Sequence, residues 1–422
     1  MNISIVNIGD ELLIGQVLNS NARDMSRLLV SEGMSVREVV TIGDRGEAIE
    51  DTLRRLLQSD DAVIVTGGLG PTRDDITKTI LCRFFESDLV ENAEALENVR
   101  RIFDKRGFEL TSTNRQQAWV PRCCTVLQNP VGTAPGMWFE RQREGREAQV
   151  VVALPGVPFE MKHLMTTEVV PRLRKHFATE CIVTKNYLVQ GIGESFLSDL
   201  LEPWETALPA HFGLAYLPQA GVVKLRLTCR GDSRDALQEQ LRRVEEGLTT
   251  LAGDYIVGQQ FESLPELVAE RFTSCGRTLA VAESCTGGRL AEQLTSLPGC
   301  SRYFRGGVVC YSNESKQSLL GVQADTLARF GAVSEPTVRE MVEGVRRRLG
   351  ADYAAATTGI AGPDGGTTQK PVGTVWVAVA SPHEVTARCL RLGTDRLQVI
   401  ERACNEVFAS LVRRIGKEEA HA

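Results

Sequence analysis

Two short stretches of the chain concentrate residue types able to do chemistry. In the C-terminal third, an apolar strand, Thr278-Leu279-Ala280-Val281-Ala282, delivers Glu283-Ser284-Cys285-Thr286-Gly287-Gly288-Arg289 to the start of a helix. A nucleophile on such a strand-to-helix turn is exposed, and the amides at the helix start can stabilise an oxyanion or a phosphate. Tyr311 follows twenty-seven residues after Ser284, at the end of a predicted strand over 307–311. Ser312-Asn313-Glu314-Ser315-Lys316 then opens a helix, so Tyr311 and Lys316 belong at one strand end. Plainer readings stand beside this one. Ser284 can be an N-cap, and Lys316 a solvated helix residue. Cys285 is a rival nucleophile, but it lacks a histidine partner, and a free cysteine is usually a small buried hydrophobe.

The second stretch follows a strand at 62–65: Thr66-Gly67-Gly68-Leu69-Gly70-Pro71-Thr72-Arg73-Asp74-Asp75-Ile76-Thr77. In an open parallel sheet, ligands bind beyond the carboxyl ends of the strands, where glycines let backbone N–H groups approach phosphate oxygens. Adjacent Asp74 and Asp75 would repel a bare phosphate, which points to a bridging divalent cation, hard and oxygen-liganded like Mg²⁺. The alternative is a tight turn over 67–71 with Asp74 or Asp75 capping the next helix.

Both turns need strands that end at them. The first segment reads as strand 3–8, helix 11–31, strand 36–42, helix 46–58, strand 62–66 and helix 75–86, a parallel sheet with helices on both faces. A buried strand over 149–154 and a helix over 159–176, broken at Pro171, close a first domain at 1–170. Residues 171–258 read as a small α+β linking domain: strand 182–190, a short helix after Gly193, strand 222–229 and helix 233–250. Alternation then restarts in a third domain, 259–416. Its strands are 278–282, 307–311, 353–358, 374–380 and 385–391, and its helices 264–275, 287–296, 335–349 and 396–415. The last helix carries Ile400, Ala403, Val407, Leu411 and Ile415 as a stripe to bury. The fold class is therefore α/β.

Composition narrows the function classes. A chain of 422 residues is too long for a single small binding module, and 42% hydrophobic with 24% charged residues is ordinary globular usage. A net charge of −6 argues against a generic polyphosphate-binding surface, and 6% aromatic content against a base-stacking one. Small-molecule partners are expected, and no nucleic acid. Eleven cysteines without a C-x-x-C pair do not form an extracellular disulfide framework, so a reducing cytoplasm is expected. The N-terminal residues read as a strand, not a signal peptide, and no apolar run approaches a membrane span. Five histidines without zinc-ligand spacing disfavour zinc hydrolysis and Ser-His-Asp chemistry.

Four strings, Gly9-Asp10-Glu11-Leu12-Leu13-Ile14-Gly15-Gln16, Thr66 to Thr77, Asn129 to Gly136 and Leu154 to Met161, are similar to the N-terminal domain of the CinA family. That domain resembles the molybdopterin-binding fold, a three-layer α/β/α arrangement. The resemblance implies a metal-dependent ADP-ribose pyrophosphatase yielding AMP and ribose 5-phosphate. Its divalent cation (Mg, Mn or Co) would fall to carboxylates of the matching strings, Asp74 first, then Asp75, then Asp10, with Glu11 nearby. Gly67, Gly68 and Gly70 would cradle phosphate. Gly132 and Thr133, with Gly136, would hold ribose or base, a plain turn around Pro135 being the alternative.

The Ser284 turn, Tyr311 to Lys316, Thr357 to Gly366 and Lys370 to Val375 are similar to the C-terminal domain of the same family, a nicotinamide mononucleotide deamidase. The resemblance implies hydrolysis of the carboxamide to nicotinic acid mononucleotide and ammonia, without a cofactor. Ser284, Tyr311 and Lys316 fall on the family's Ser, Tyr and Lys positions. With no histidine in this motif, a desolvated lysine of lowered pKa can serve as base. Ser284 would attack, Lys316 would take its proton, and Tyr311 would orient the pair or relay the proton to ammonia. Thr286, Gly287, Gly288, Thr357, Gly359 and Gly362 are candidates for substrate binding. Arg396 is a candidate phosphate partner, although it stands one residue farther from Gly393 than the resemblance leads one to expect; alternatively it is a surface charge. The family resemblance implies a homodimer. The rival functions are a nucleotide- or pterin-binding regulatory protein without turnover, and a molybdenum-cofactor enzyme.

Overall fold

In the computed structural model, residues 1–72, 75–143, 145–177 and 181–419 are described; Asp74 lies outside them. The chain divides into two compact units, Met1–Val183 with Arg230–Arg234, and Thr184–Cys229 with Asp235–Ala422.

The first unit holds β1 (Asn2–Ile8), β2 (Ser35–Ile42), β3 (Ala62–Thr66), β4 (Leu89–Glu91), β5 (Trp119–Pro121), β6 (Thr125–Leu127), β7 (Gly136–Arg143) and β8 (Arg146–Leu154). Six of these form one sheet in the order β2-β1-β3-β8-β7-β6, while β4 and β5 pair separately. The strands β2, β1, β3 and β8 run parallel, as expected, but β7 and β6 extend the sheet antiparallel. β8 begins three residues after β7 ends, too few for a crossover, so the two pair antiparallel.

Alternation along β8 shows the layers. Val150, Val152 and Leu154 pack with Met25, Leu29 and Leu164 on one face, and Val151 and Ala153 with Leu53, Leu56 and Leu81 on the other. Strands covered on both faces read as continuous apolar runs, which is why β3 and β8 were legible. The expected helix over 11–31 is two, Asp10–Leu13 and Ser20–Ser31. Gly15 takes φ +72, Asn19 caps the second helix through the Ala22 N–H, and the apolar residues Ile14 and Leu18 lie exposed. Nor does Pro171 break the helix: the segment 158–176 continues through a π turn, Met165–Val169, immediately before it.

In the second unit, β9 (Cys181–Val189), β10 (Phe212–Gln219), β11 (Val222–Gly231) and β12 (Ile256–Gln259) form a sheet in the order β10-β11-β9-β12. The sequence reading had missed β10 and β12. Then β13 (Leu279–Glu283), β14 (Phe304–Val309), β15 (Tyr353–Gly359), β16 (Thr374–Ala380) and β17 (Val385–Arg391) order as β14-β13-β15-β16-β17, parallel over the first three and antiparallel beyond. One face, Ala280, Ala282, Ala354, Ala356, Ala378 and Ala380, is built of alanines and takes helix Glu335–Leu349 through Val338, Met341, Val342 and Val345. The other face takes the last helix, Arg396–Glu419, through Val399, Val407, Phe408 and Leu411. The predicted strand 307–311 ends at Val309, so Tyr311 lies in the following turn.

Gly67, at the end of β3, has φ +108, and a Cβ there would collide with the Ile8 carbonyl oxygen on neighbouring β1. At Gly156 an added Cβ meets only ordinary contact, 3.5 Å from the Gly67 Cα. Gly67→Ala is therefore expected to destabilise the first unit by about 2 kcal/mol or more, and Gly156→Ala by under about 0.5 kcal/mol. Urea unfolding of the two variants checks this; equal midpoints would contradict it.

Candidate active sites

Sequence places Ser284 one residue beyond β13, the middle one of the three parallel strands of its sheet. The side chain does not cap: the residue before helix Arg289–Thr295 is Gly288, at φ +103. The start of that helix is filled instead by Glu283. Its wholly buried carboxylate accepts the N–H groups of Gly288 (3.0 Å), Leu290 (3.0 Å) and Ala291 (2.9 Å). This corrects the expectation that the helix-start amides serve an oxyanion or a phosphate. Ser284 is itself nearly buried, and its N–H donates to the Thr357 carbonyl at 3.0 Å.

Lys316 comes to Ser284 from helix Asn313–Leu320, whose first turn is fixed by a capping box between Ser312 and Ser315. The far end of this helix approaches helix Glu335–Leu349 at Gly344, where a Cβ would collide with the Leu320 carbonyl. The Lys316 side chain is 1% exposed, and its Nζ lies 2.9 Å from the Cys310 carbonyl oxygen, 3.3 Å from that of Tyr311 and 3.0 Å from Ser284 Oγ. Burial lowers its pKa below the ordinary lysine value, against the opposing pull of Cys310, Cys285 and Glu314. A neutral amine has two N–H donors and one lone pair. As the ammonium, Nζ donates to Ser284 Oγ as well as to the two carbonyls; once neutral, it gives its two donors to the carbonyls, which can only accept, and its lone pair is left for the Ser284 O–H. The geometry is that of a serine with a lysine base.

The other candidates fall into distinct places. The hydroxyls of Thr286 and Thr357 hydrogen-bond at 2.7 Å, and both residues are buried. Gly287 turns at φ +61 with open space beside it, whereas at Gly359 a Cβ would press on Thr374 and Val375 of β16, a packing role. Tyr311 is exposed. Its carbonyl reaches Lys316, while its hydroxyl accepts from Arg396 Nη2 at 3.1 Å; Arg396 Nη1 donates to the Gly362 carbonyl at 2.7 Å. Arg396 thus stands beside Tyr311, the residue whose carbonyl lies 3.3 Å from the Lys316 amine. Cys285 is buried, and burial pushes its thiol up to about 12, so it carries no thiolate near neutral pH.

In the first unit, the ends of β1, β3 and β8 open into a cleft of about 430 Å³. Gly67, Gly68, Gly70, Asp75 and Thr133 line it. Gly68 and Gly70 leave room for Thr77 and for the Asp75 carboxylate, and Gly132 does the same for Glu160, which lines the cleft in its place. Asp75 does not cap the helix Thr77–Phe84; it accepts the Thr72 N–H at 2.9 Å and the Thr72 hydroxyl. The Asp10 carboxylate packs against Gly43, and the neighbouring Glu11 and Asp44 line the cleft. Sequence reasoning missed Asn7 and Gln117, whose buried Oδ1 and Oε1 lack hydrogen-bond partners on the cleft wall. It also missed Lys78, beside the same loop. Burial lowers its pKa to about 8, with Asp75 opposing, and its Nζ donates to the carbonyls of Gln116 and Gln117 at 3.1 and 3.3 Å. The signal for Glu283 was present, as a carboxylate at a strand end ahead of two glycines; Asn7 and Gln117 meet only through tertiary structure. Among the described residues no three Asp, Glu, His or Cys side chains gather as a ligand set. The donors on this wall are all oxygens, which fits a hard cation held by one or two carboxylates and completed by substrate oxygens and water.

Comparison with known proteins matches three successive segments of the chain. Residues 4–175 match the probable molybdopterin binding domain, 184–258 the damage-inducible protein CinA KH domain, and 261–415 the CinA C-terminal domain. The molecule is thus a mixed α/β protein with a molybdopterin-binding-like N-terminal domain, a KH-like middle domain and a C-terminal CinA domain. A CinA-like protein of Cytophaga hutchinsonii is 41% identical over 98% of both chains, and one of Gemmatimonas aurantiaca 42% over 99% of this chain and 97% of its own. The chain belongs to the CinA family. The crystal structure of a competence/damage inducible protein from Agrobacterium tumefaciens, 38% identical, covers 36% of this chain and 92% of its own with a TM-score of 0.35. No helix among the described residues is long and apolar enough to cross a membrane.

The burial of Cys285 is open to test by iodoacetamide at pH 8. Exposed Cys123 and Cys389 are expected to alkylate readily, and Cys285 only after unfolding. Peptide mass mapping distinguishes them.

Proposed function

We propose that the C-terminal site hydrolyses the carboxamide of nicotinamide mononucleotide to nicotinic acid mononucleotide and ammonia. The observation carrying this reading is the 3.0 Å approach of the buried Lys316 amine to Ser284 Oγ. Ser284 Oγ attacks the amide carbon while its proton passes to Lys316. The tetrahedral intermediate collapses with that proton delivered to the departing nitrogen, directly or through Tyr311, and ammonia leaves. Water then cleaves the acyl-serine, its proton returning through Lys316. Arg396, beside Tyr311, has the charge and position to receive the nucleotide phosphate.

For the N-terminal cleft the reading is metal-dependent hydrolysis of ADP-ribose to AMP and ribose 5-phosphate. Asp75 and Asp74, the latter outside the described residues, would hold the divalent cation. When bound, the cation would neutralise charge on the phosphoryl oxygens. Glycine backbone at 67–70 and the Lys78 ammonium would meet the diphosphate. The KH-like segment 184–258 contains no Gly-x-x-Gly, the loop by which KH modules clamp a nucleic-acid backbone, which favours small-molecule substrates. The competing function, a ligand sensor without turnover, predicts binding of both nucleotides with no product.

Three outcomes test these readings. In chelator, ammonia release from nicotinamide mononucleotide is expected to survive Cys285→Ala and vanish in Ser284→Ala; no release by the wild type would leave the C-terminal domain a sensor. The rate should rise with pH through one ionisation, about tenfold per unit below it, because the base works only when Lys316 is neutral. Since burial lowers that pKa, the plateau should begin below the roughly 10.4 of free lysine. A profile flat from pH 5 to 10 would remove Lys316 as the base. For the first domain, chelator should abolish AMP release from ADP-ribose, and Asp74→Asn should cut it at least about tenfold without unfolding the domain; full activity in either case would remove the assignment.

A further inference from the structure

We propose that Glu283 is a positioning residue for the serine: an internal anion that holds the turn 284–288 and so sets Ser284 Oγ against the Lys316 amine. The proposal rests on the serine–lysine reading above and adds a residue that reading does not use. A carboxylate with no solvent exposure is costly unless its oxygens are satisfied. Here Oε2 takes the Gly288 and Leu290 amides and Oε1 the Ala291 amide. All three bonds span the turn, joining the last residue of β13 to the first helical turn, with Ser284 between them.

Other bonds tie the same segment to its neighbours. The Glu283 carbonyl accepts the Cys310 N–H at 2.8 Å and lies 3.6 Å from the Cys310 Sγ, and the Cys310 carbonyl is one of the two that hold the Lys316 amine. One residue's backbone therefore ties the nucleophile's strand to the segment that carries the base, while its side chain fixes the turn. Two glycines at positive φ, Gly287 and Gly288, leave that turn with little stiffness of its own. The carboxylate supplies the restraint. It also keeps the helix start closed to an external anion, so the substrate phosphate must be read elsewhere on the rim.

The test uses the full chain with Glu283→Gln and Glu283→Asp. Glutamine keeps the shape but sets an NH₂ against at least one of three N–H donors; aspartate keeps the charge but is one methylene short. Reaction with a fluorophosphonate, followed by intact mass, reads serine activation independently of the natural substrate, with Ser284→Ala as blank. Its amplitude counts folded sites and its rate reports their geometry. For Glu283→Gln we expect the labelling rate and kcat for nicotinamide mononucleotide to fall at least about tenfold, with KM within about threefold. Glu283→Asp should fall between it and the wild type. The pH midpoint of activity should stay in place, because Glu283 acts through the turn and not on the lysine's charge. A loss of amplitude at unchanged rate would mean a merely structural role and overturn the proposal, as would a midpoint shift above about half a unit or a folded variant within twofold of wild type. If Glu283→Gln does not fold, Glu283→Asp decides by the same criteria. Labelling of Ser284 without amide turnover would sink the substrate reading and leave the Glu283 comparison intact.

Discussion

The C-terminal domain depends on the burial of one amine. Lys316 is 1% exposed, and among the described residues its amine hydrogen-bonds two carbonyls and a serine hydroxyl, with the Glu314 carboxylate acting only through space. A charged ammonium in that setting is poorly compensated, which lowers the amine's pKa below the ordinary lysine value. Much of the surrounding architecture bears on this arrangement. The alanine face of the sheet brings helix Glu335–Leu349 close, Gly344 on that helix admits the backbone of helix Asn313–Leu320, and the Ser312–Ser315 box sets where that helix begins. Lengthening any of these contacts would let water reach the amine and restore its ordinary basicity.

The two candidate sites share a construction and differ in how they close it. Each lies just beyond an inner parallel strand, β3 or β13, where consecutive glycines at positive φ lead into a helix. In each, a carboxylate close in sequence binds its own loop: Glu283 the amides of Gly288, Leu290 and Ala291, Asp75 the Thr72 turn. Glycine-rich turns need such restraint because their residues lose the most conformational freedom on ordering. An acid beside such a turn therefore has two possible duties. At Glu283 complete burial and three amide bonds decide for the loop, whereas Asp75 keeps a place on an open cleft wall.

How much of this was legible in the sequence follows from the range of the interactions involved. β3, β8, β13 and β16 were readable because strands buried on both faces are apolar throughout. β10 was not: its residues Phe212–Gln219 are mostly half-exposed and include Pro218, so neither alternation nor a continuous apolar run marks it. The expectation of a single helix over 11–31 failed because Leu13, Ile14, Val17 and Leu18 supply an apolar pattern with no core to meet. At the serine site, residue types and the strand-end placement were local signals. The meeting of Ser284 with Lys316 is a contact across 32 positions, which the resemblance supplied and spacing alone does not. The meeting of Arg396 with Tyr311, across 85 positions, and of Asn7 with Gln117 on one wall belongs wholly to tertiary structure.

The same reasoning separates the two plausible nucleophiles, which are adjacent and alike in sequence context. Ser284 and Cys285 sit on one turn, and the thiol is intrinsically the better nucleophile when ionised. Successive residues on a tight turn point in different directions, however, and here the directions differ in environment. Cys285 enters the apolar layer with Leu279, Val281 and Leu290, where burial pushes its pKa to about 12 and suppresses the thiolate. Ser284 faces Lys316, which makes a weakly acidic hydroxyl the group with a base in reach. A hydroxyl does not need to be ionised in the ground state, only to lose its proton as the bond forms. Position relative to the base, and not intrinsic reactivity, therefore decides which of the two neighbours can act.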